Sequence, residues 1–217
     1  MPVTVQEKLG VTKAFNQDSY PDIEDNLFWG ICRRVFDYSL LPVENLWSLY
    51  AAVKYISQRG IPGDLVECGV FLGGSVRLMA ETLATFRDDT RTIYAYDTFT
   101  GFVRRSDSDV THDGQLICDY ATANFRRETE SNLEGTPYAD RIRIVEGDVT
   151  ATLKSTKPAQ VALARLDTDS YDTTLAELEQ LYPILSPGGV LIIDDYGYCR
   201  GARQATDEFF RDPKQSL

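Results

Sequence analysis

Two short runs concentrate carboxylates in this chain: Leu166-Asp167-Thr168-Asp169-Ser170-Tyr171-Asp172 and Ile192-Ile193-Asp194-Asp195-Tyr196-Gly197. Residues 161–167 read as a strand, 173–185 as a helix and 189–194 as a second strand, which together form one βαβ unit. A right-handed crossover lays such strands side by side and parallel, about 4.8 Å apart, with both acidic ends at the same carboxyl edge. Asp167, Asp194 and Asp195 then converge. Ionised carboxylates about 4 Å apart repel by roughly 4 kcal/mol per pair at an effective dielectric near 20, so the cluster needs neutralising. Protonation is one escape, at the cost of strongly raised pKa values; a hard divalent cation is the other. With few protein ligands and no neighbouring histidine, Mg²⁺ that keeps waters or substrate oxygens fits better than Zn²⁺. The plainer reading makes some of these aspartates loop-start or helix-capping residues, with Asp172, just ahead of Thr173, the best placed to cap.

A second constellation lies upstream. Residues 64–75 read as a strand, a glycine-rich turn containing Gly69, Gly73 and Gly74, and a helix start at Ser75. Glycine lets backbone approach a ligand closely, and the N–H groups of a helix start favour anionic or polar groups such as a carboxylate. Asp97, at the end of the next strand and 24 residues after Gly73, can accept hydrogen bonds from both hydroxyls of a ribose. A nucleoside cofactor follows. The turn reads G-x-x-x-G-G, not the G-x-G-x-x-G that seats a pyrophosphate, and Glu67 adds negative charge beside it. S-adenosylmethionine, with a cationic sulfonium, an amino group for Glu67 and a ribose for Asp97, suits this turn better than NAD. The alternative is a tight turn with no ligand.

The elements that must position these residues alternate. Strands are expected at 64–70, 92–97, 141–147, 161–167 and 189–194, with helices near 75–86, 121–131, 173–185 and 201–211, which predicts an α/β, doubly wound, mostly parallel sheet in a single domain. Ahead of them, Leu46, Leu49, Val53 and Ile56 recur at helical spacing and end at Gly60, with Pro62 beyond. Residues 1–43 read as an arm or cover, helical only around 26–36. Phe28, Trp29 and Phe36 there suit packing or dimer contacts better than ligand contacts. The polar stretch 98–119 is long enough to be a lid or binding loop.

Composition sets limits. The 217 residues, 43% hydrophobic and 25% charged, suit an ordinary globular domain, and a net charge of −11 argues against nucleic acid or an anionic membrane as partner. Four cysteines, Cys32, Cys68, Cys118 and Cys199, are widely spaced without a CxxC pair, as for reduced thiols in a cytoplasm. No apolar run approaches a membrane span, and the first residues lack a basic region followed by an apolar segment, so a cytoplasmic location is expected.

At these residues the chain resembles the macrocin O-methyltransferase (TylF-type) family of small-molecule methyltransferases. The resemblance is carried by Ile61-Pro62-Gly63-Asp64-Leu65-Val66-Glu67-Cys68-Gly69-Val70-Phe71-Leu72-Gly73-Gly74-Ser75 and by residues 50–56, 96–102, 165–171 and 185–197. It implies a Rossmann-like class I methyltransferase fold, use of S-adenosylmethionine and Mg²⁺, and methylation of a hydroxyl on a small natural product, typically a sugar. Carried onto this sequence, it makes Asp167, Asp194 and Asp195 metal ligands and Asp169 the general base; the residues alone permit that role for Asp169 without requiring it. A homodimer is implied as well. An alkyl hydroxyl with a pKa of roughly 15–16 and an aspartate near 3.9 make a poor nucleophile and base without metal assistance.

The chain departs from the family in places. Gly147 is followed by Asp148-Val149 where the family carries an aromatic residue, leaving Asp148 as a candidate for the adenine edge. The chain also ends soon after its last helix, where a methyltransferase fold adds an antiparallel strand pair. His112, the one histidine, lies in the expected lid and is open to two readings, solvated surface or a substrate contact on closure. Tyr196 and Tyr198 could wall the acceptor pocket or pack on the sheet, and Arg104-Arg105 reads as a solvated pair. Rival functions are a catechol or phenol O-methyltransferase, an NAD-dependent oxidoreductase, for which a Tyr-x-x-x-Lys pair is lacking, and a Mg²⁺-binding receiver-like module.

Overall fold

Five short runs rich in aliphatic and β-branched residues become the strands β1 (Asp64–Cys68), β2 (Ile93–Asp97), β3 (Ile142–Glu146), β4 (Val161–Leu166) and β5 (Leu185–Ile193) in the computed structural model, which describes residues 2–102, 106–117 and 124–211. They form one sheet in the order β3-β2-β1-β4-β5, every neighbouring pair parallel. β1 and β4 occupy its centre and are almost wholly buried. The chain leaves β1 toward β2 on one side and returns to β4 and β5 on the other. That reversal opens a crevice at the carboxyl ends of β1 and β4, where doubly wound sheets bind ligands.

Alternation along each strand assigns the two faces. Leu65 and Leu163 pack with helices α2 (Asn26–Val35), α3 (Val43–Arg59), α4 (Gly74–Thr85) and α5 (Arg126–Leu133). Val66, Cys68, Ala164 and Leu166 pack with α6 (Val149–Ser155), α7 (Tyr171–Leu181) and α8 (Arg200–Arg211) on the other face. By the same parity Glu67, Arg165 and Ile192 share the first face, and the register sets Arg165 opposite both Glu67 and Ile192. Two residues further, Asp167 and Asp194 continue that face beyond the strand ends.

The N-terminal segment is more than an arm. It begins with α1 (Val5–Leu9), held by a Thr4–Glu7 capping box, and α2 is capped by Asp25, whose side chain accepts from Leu27 N and Phe28 N. Phe28, Trp29 and Phe36 are buried in the main core, in an aromatic cluster with Phe15, Trp47 and Tyr50. Packing is therefore their role. A Cβ at Gly74 would stand 2.6 Å from Ser39 Cβ, so the absence of a side chain there lets residues 38–39 lie against the start of α4.

Several boundaries differ from the sequence expectation, each for a local reason. The helix expected at 173–185 runs over Tyr171–Leu181, and its N-cap is Ser170, which accepts from Thr173 N; Asp172 sits in the first turn. Pro183 lies in the short 3-10 turn Tyr182–Ile184 that follows, and β5 then starts at Leu185, before Gly189. The helix expected near 121–131 is α5, beginning at Arg126, after Phe125 has docked edge-on against both Phe71 and Phe99. α6, unforeseen, is a short helix capped by Asp148.

Residues 106–117 of the expected lid are pinned in place. Asp109, fully buried, accepts from Ser106 N and from Tyr171 N at the start of α7, and Thr111 bridges Cys199. Arg104-Arg105, Cys118 and the tail 212–217 lie outside the described residues. Cys32, Cys68 and Cys199 are free thiols and buried. Among the described residues no helix is long and apolar enough to cross a membrane.

Candidate active site

A cavity of about 490 Å³ opens at the crevice between β1 and β4. Its floor is the glycine turn, with Gly69, Val70, Phe71, Gly74 and Ser75; its acidic wall is Asp167, Asp169, Asp194 and Asp195; residues 38–42 cover it. The expected metal ligands converge: Asp167, Asp194 and Asp195 each offer a carboxylate oxygen within 4.8 Å of the others. Asp169 stands on the same wall. Its backbone is left-handed, with φ 63°, its N–H donates to Asp195 Oδ2 at 3.1 Å, and its Oδ1 accepts from the Cys199 thiol at 3.2 Å. A non-glycine residue in that region is strained, and such strain gathers at functional sites.

Arg165, which strand reasoning passed over, is the side chain that organises this wall. It is 1% exposed, and its Nη1 lies 2.5 Å from Glu67 Oε1 and 2.8 Å from Asp167 Oδ2. Nη2 approaches Asp194 Oδ1 at 2.9 Å, an ion pair without hydrogen-bond alignment, and the same oxygen accepts from Asn45 Nδ2 at 3.0 Å. Burial works against its charge, but Asp167, Glu67 and Asp194 together hold the guanidinium firmly protonated. A charged residue inside a central strand was the available signal, since it must be paired; its partners depend on the strand order.

One guanidinium does not neutralise the cluster. Burial pushes Asp167 up to about 8 despite Arg165, with Asp194 adding to the rise. Asp195 is raised well above the ordinary range by burial and by Asp167 and Asp169. Three converging carboxylates, Asp195 buried and Asp167 and Asp194 half-buried, form an oxygen donor set that matches a hard divalent cation such as Mg²⁺.

The cofactor residues are placed less uniformly. A Cβ at Gly69 would fall 1.8 Å from the Asp167 carbonyl oxygen, so only glycine lets the ends of β1 and β4 meet here. Gly73, at φ 86°, is the N-cap of α4 and does not line the cavity. Asp97 lines it, and its carboxylate also holds the turn: Oδ2 accepts from Val70 N at 2.7 Å and Phe71 N at 2.8 Å, and Oδ1 from Phe99 N at 2.7 Å. Burial still lifts its pKa against those donors.

Glu67 is fully buried behind the wall; it accepts from Ser75 Oγ at 2.9 Å and from Arg165, while its Oε2 has no hydrogen-bond partner among the described residues. Ser75 is the member of that pair that lines the cavity. Asp148 Oδ1 caps α6 through Thr150, and its neighbours Gly147 and Val149 line the cavity instead. His112 is exposed and off the lining; its backbone N–H donates to Tyr198 O, and its carbonyl accepts from Arg200. Tyr198 lines the cavity, whereas Tyr196 donates to Asp207 on α8.

The comparisons agree in kind. The family model described as macrocin-O-methyltransferase (TylF) matches residues 16–215. A relative from Streptomyces olivaceus, 8-demethyl-8-(2,3-dimethoxy-alpha-L-rhamnosyl)-tetracenomycin-C 4'-O-methyltransferase, is 32% identical over 203 residues, spanning 88% of this chain and 75% of its own. Mycinamicin III 3''-O-methyltransferase from Micromonospora griseorubida is 30% identical, over 79% of this chain and 70% of its own. Among solved structures, the O-methyltransferase NovP superposes with a TM-score of 0.70 at 27% identity, covering 81% of this chain and 76% of that one.

Proposed function

The chain belongs to the macrocin O-methyltransferase (TylF) family and is thereby an O-methyltransferase, and we propose that it transfers the methyl group of S-adenosylmethionine to a sugar hydroxyl of a small natural product with Mg²⁺ at Asp167, Asp194 and Asp195. The observation that carries the reading is the convergence of those three carboxylates, within 4.8 Å, on the cavity that also holds the glycine turn. The sugar acceptor is favoured by the tetracenomycin relative, whose name describes a rhamnosyl compound.

S-Adenosylmethionine supplies a sulfonium methyl, and a divalent cation supplies the Lewis acidity that brings a hydroxyl's pKa within reach of a carboxylate base. This chain's residues do the rest. Gly74 and Ser75, at the start of a 12-residue helix, face the cavity with N–H groups suited to the donor's carboxylate. Asp97 stands where a ribose can add to the hydrogen bonds it already accepts. Asp169 takes the acceptor's proton as the new C–O bond forms and the S–CH₃ bond breaks, leaving a neutral thioether. The bond from Cys199 and the N–H bond to Asp195 fix the direction of its carboxylate. Residues 38–42 line the cavity and would keep water from the reacting atoms once the ligands are bound.

In the same reading the enzyme is a cytoplasmic homodimer built on one methyltransferase domain. The test is calorimetric titration of S-adenosylhomocysteine, with and without Mg²⁺, on the wild type and Asp194→Ala. Donor-product binding, together with Mg²⁺ binding that is lost in Asp194→Ala, supports the reading; a wild type that binds neither ends it.

A further inference from the structure

Arg165 links the side chains of the two parts of the cavity, the glycine turn and the acidic wall. On the donor side, Ser75 lines the cavity and donates to Glu67 Oε1, the oxygen that also receives Arg165 Nη1. On the acidic side, the same Nη1 holds Asp167 Oδ2, and Nη2 holds Asp194 Oδ1 together with Asn45 from α3. The chain of contacts is continuous: Ser75, Glu67, Arg165, then Asp167 and Asp194. Every member between its two ends is buried, and Glu67 reaches neither the cavity nor the acidic trio directly.

Resting on the donor and cation sites proposed above, we propose that Arg165 is a positioning residue that couples those two sites, so that filling either one orders the groups the other needs. The geometry of the guanidinium is what the coupling requires. Its planar fork presents two nitrogens at once, one shared by Glu67 and Asp167 and one facing Asp194, which a single ammonium does not reproduce. A ligand seated on Ser75 steadies Glu67 and so the guanidinium. The guanidinium in turn steadies one oxygen each of Asp167 and Asp194. Groups that orient metal ligands from behind commonly change metal affinity by about 10–100-fold when altered.

The test is the affinity of Mg²⁺ measured by calorimetry with and without saturating S-adenosylhomocysteine, in the wild type, Arg165→Lys and Glu67→Gln. Arg165→Lys keeps the charge and loses the fork. Glu67→Gln is isosteric, keeps an acceptor oxygen for Ser75, and guards against an Arg165 variant that does not fold. In the wild type S-adenosylhomocysteine should tighten Mg²⁺ by at least about fivefold, the lower end of ordinary coupling between sites. In both variants the factor should fall below about twofold, even where each ligand still binds. A structural role that lysine can rescue would leave the wild-type factor in place, and that result, or a wild-type factor of one or of opposite sign, overturns the inference. If the wild type binds neither ligand, the methyltransferase reading falls with it; intact binding with unchanged coupling removes the role of Arg165 alone.

Discussion

Replacing Asp97 with asparagine should damage the protein before any ligand is added. The carboxylate accepts from three backbone N–H groups, Val70 and Phe71 on Oδ2 and Phe99 on Oδ1. An amide offers one oxygen. Whichever way it faces, its NH₂ group points at one or two of those donors and leaves them unpaired in a buried turn. An orphaned buried donor costs about 1–3 kcal/mol, and bonds to the surviving oxygen lose their charge assistance. The total is roughly 2–4 kcal/mol against a domain stability of about 5–15 kcal/mol. For a chain of this length that lowers Tm by on the order of 5–15 °C. Phe71 and Phe99, held at φ 49° and 55° around that carboxylate, would relax toward ordinary backbone and distort the floor of the cavity. Urea unfolding of the ligand-free variant measures the stability loss, and titration of S-adenosylhomocysteine measures the site. An unchanged urea midpoint with lost donor-product binding would refute the reasoning, because Asp97 would then act on the ligand alone.

Other substitutions separate roles that the structure assigns. Glu177 is buried and burial raises it to about 8, so between its ordinary 4.5 and that value the folded chain holds a proton that the unfolded chain releases. Stability from this group is complete below about pH 4.5 and is lost as pH rises toward 8, a span worth a few kcal/mol; Glu177→Gln should flatten that part of a urea-midpoint profile, and an unaltered profile would count against it. Gly69→Ala puts a methyl 1.8 Å from the Asp167 carbonyl and should cost more than about 4 kcal/mol, visible as loss of soluble, folded protein by circular dichroism. Asp148→Ala should cost about 0.5–2 kcal/mol through the lost cap of α6 while leaving S-adenosylhomocysteine affinity within about twofold; a large affinity loss would return Asp148 to the adenine pocket.

Much of this architecture was legible because period and punctuation agree locally. Strand and helix alternation, the glycine turn and the acidic strand ends sit where the pattern sets them, and Asp167, Asp194 and Asp195 meet as parallel neighbouring strands require. What escaped depends on contacts between distant segments. Arg165 lies in the run Val161-Ala162-Leu163-Ala164-Arg165-Leu166, where a strand reading registers apolar character, and its partners appear only once β1 and β5 are known to flank β4. The electrostatic need inferred for the acidic cluster is real but partly met from within, by that guanidinium. Spacing makes Asp97 a ribose contact and charge makes Glu67 an amino-group contact; the structure adds the turn that Asp97 holds and the layer behind Ser75 that Glu67 occupies. Ser170 outcompetes Asp172 for the cap of α7 because the helix begins two residues earlier than the threonines suggest. The cover formed by residues 38–42 rests on Gly74, a contact with no signature in the N-terminal sequence.

The central claim is most directly tested by methyl transfer itself: methyl-labelled S-adenosylmethionine, a panel of glycosides bearing vicinal sugar hydroxyls, and mass detection of product, for wild type with Mg²⁺, wild type with EDTA, and Asp169→Asn with Mg²⁺. The account predicts one added methyl on a sugar oxygen, abolished by EDTA and reduced by at least about 100-fold in Asp169→Asn, whose donor-product affinity stays near that of the wild type. Transfer that persists in EDTA, or that Asp169→Asn leaves unchanged, would contradict it.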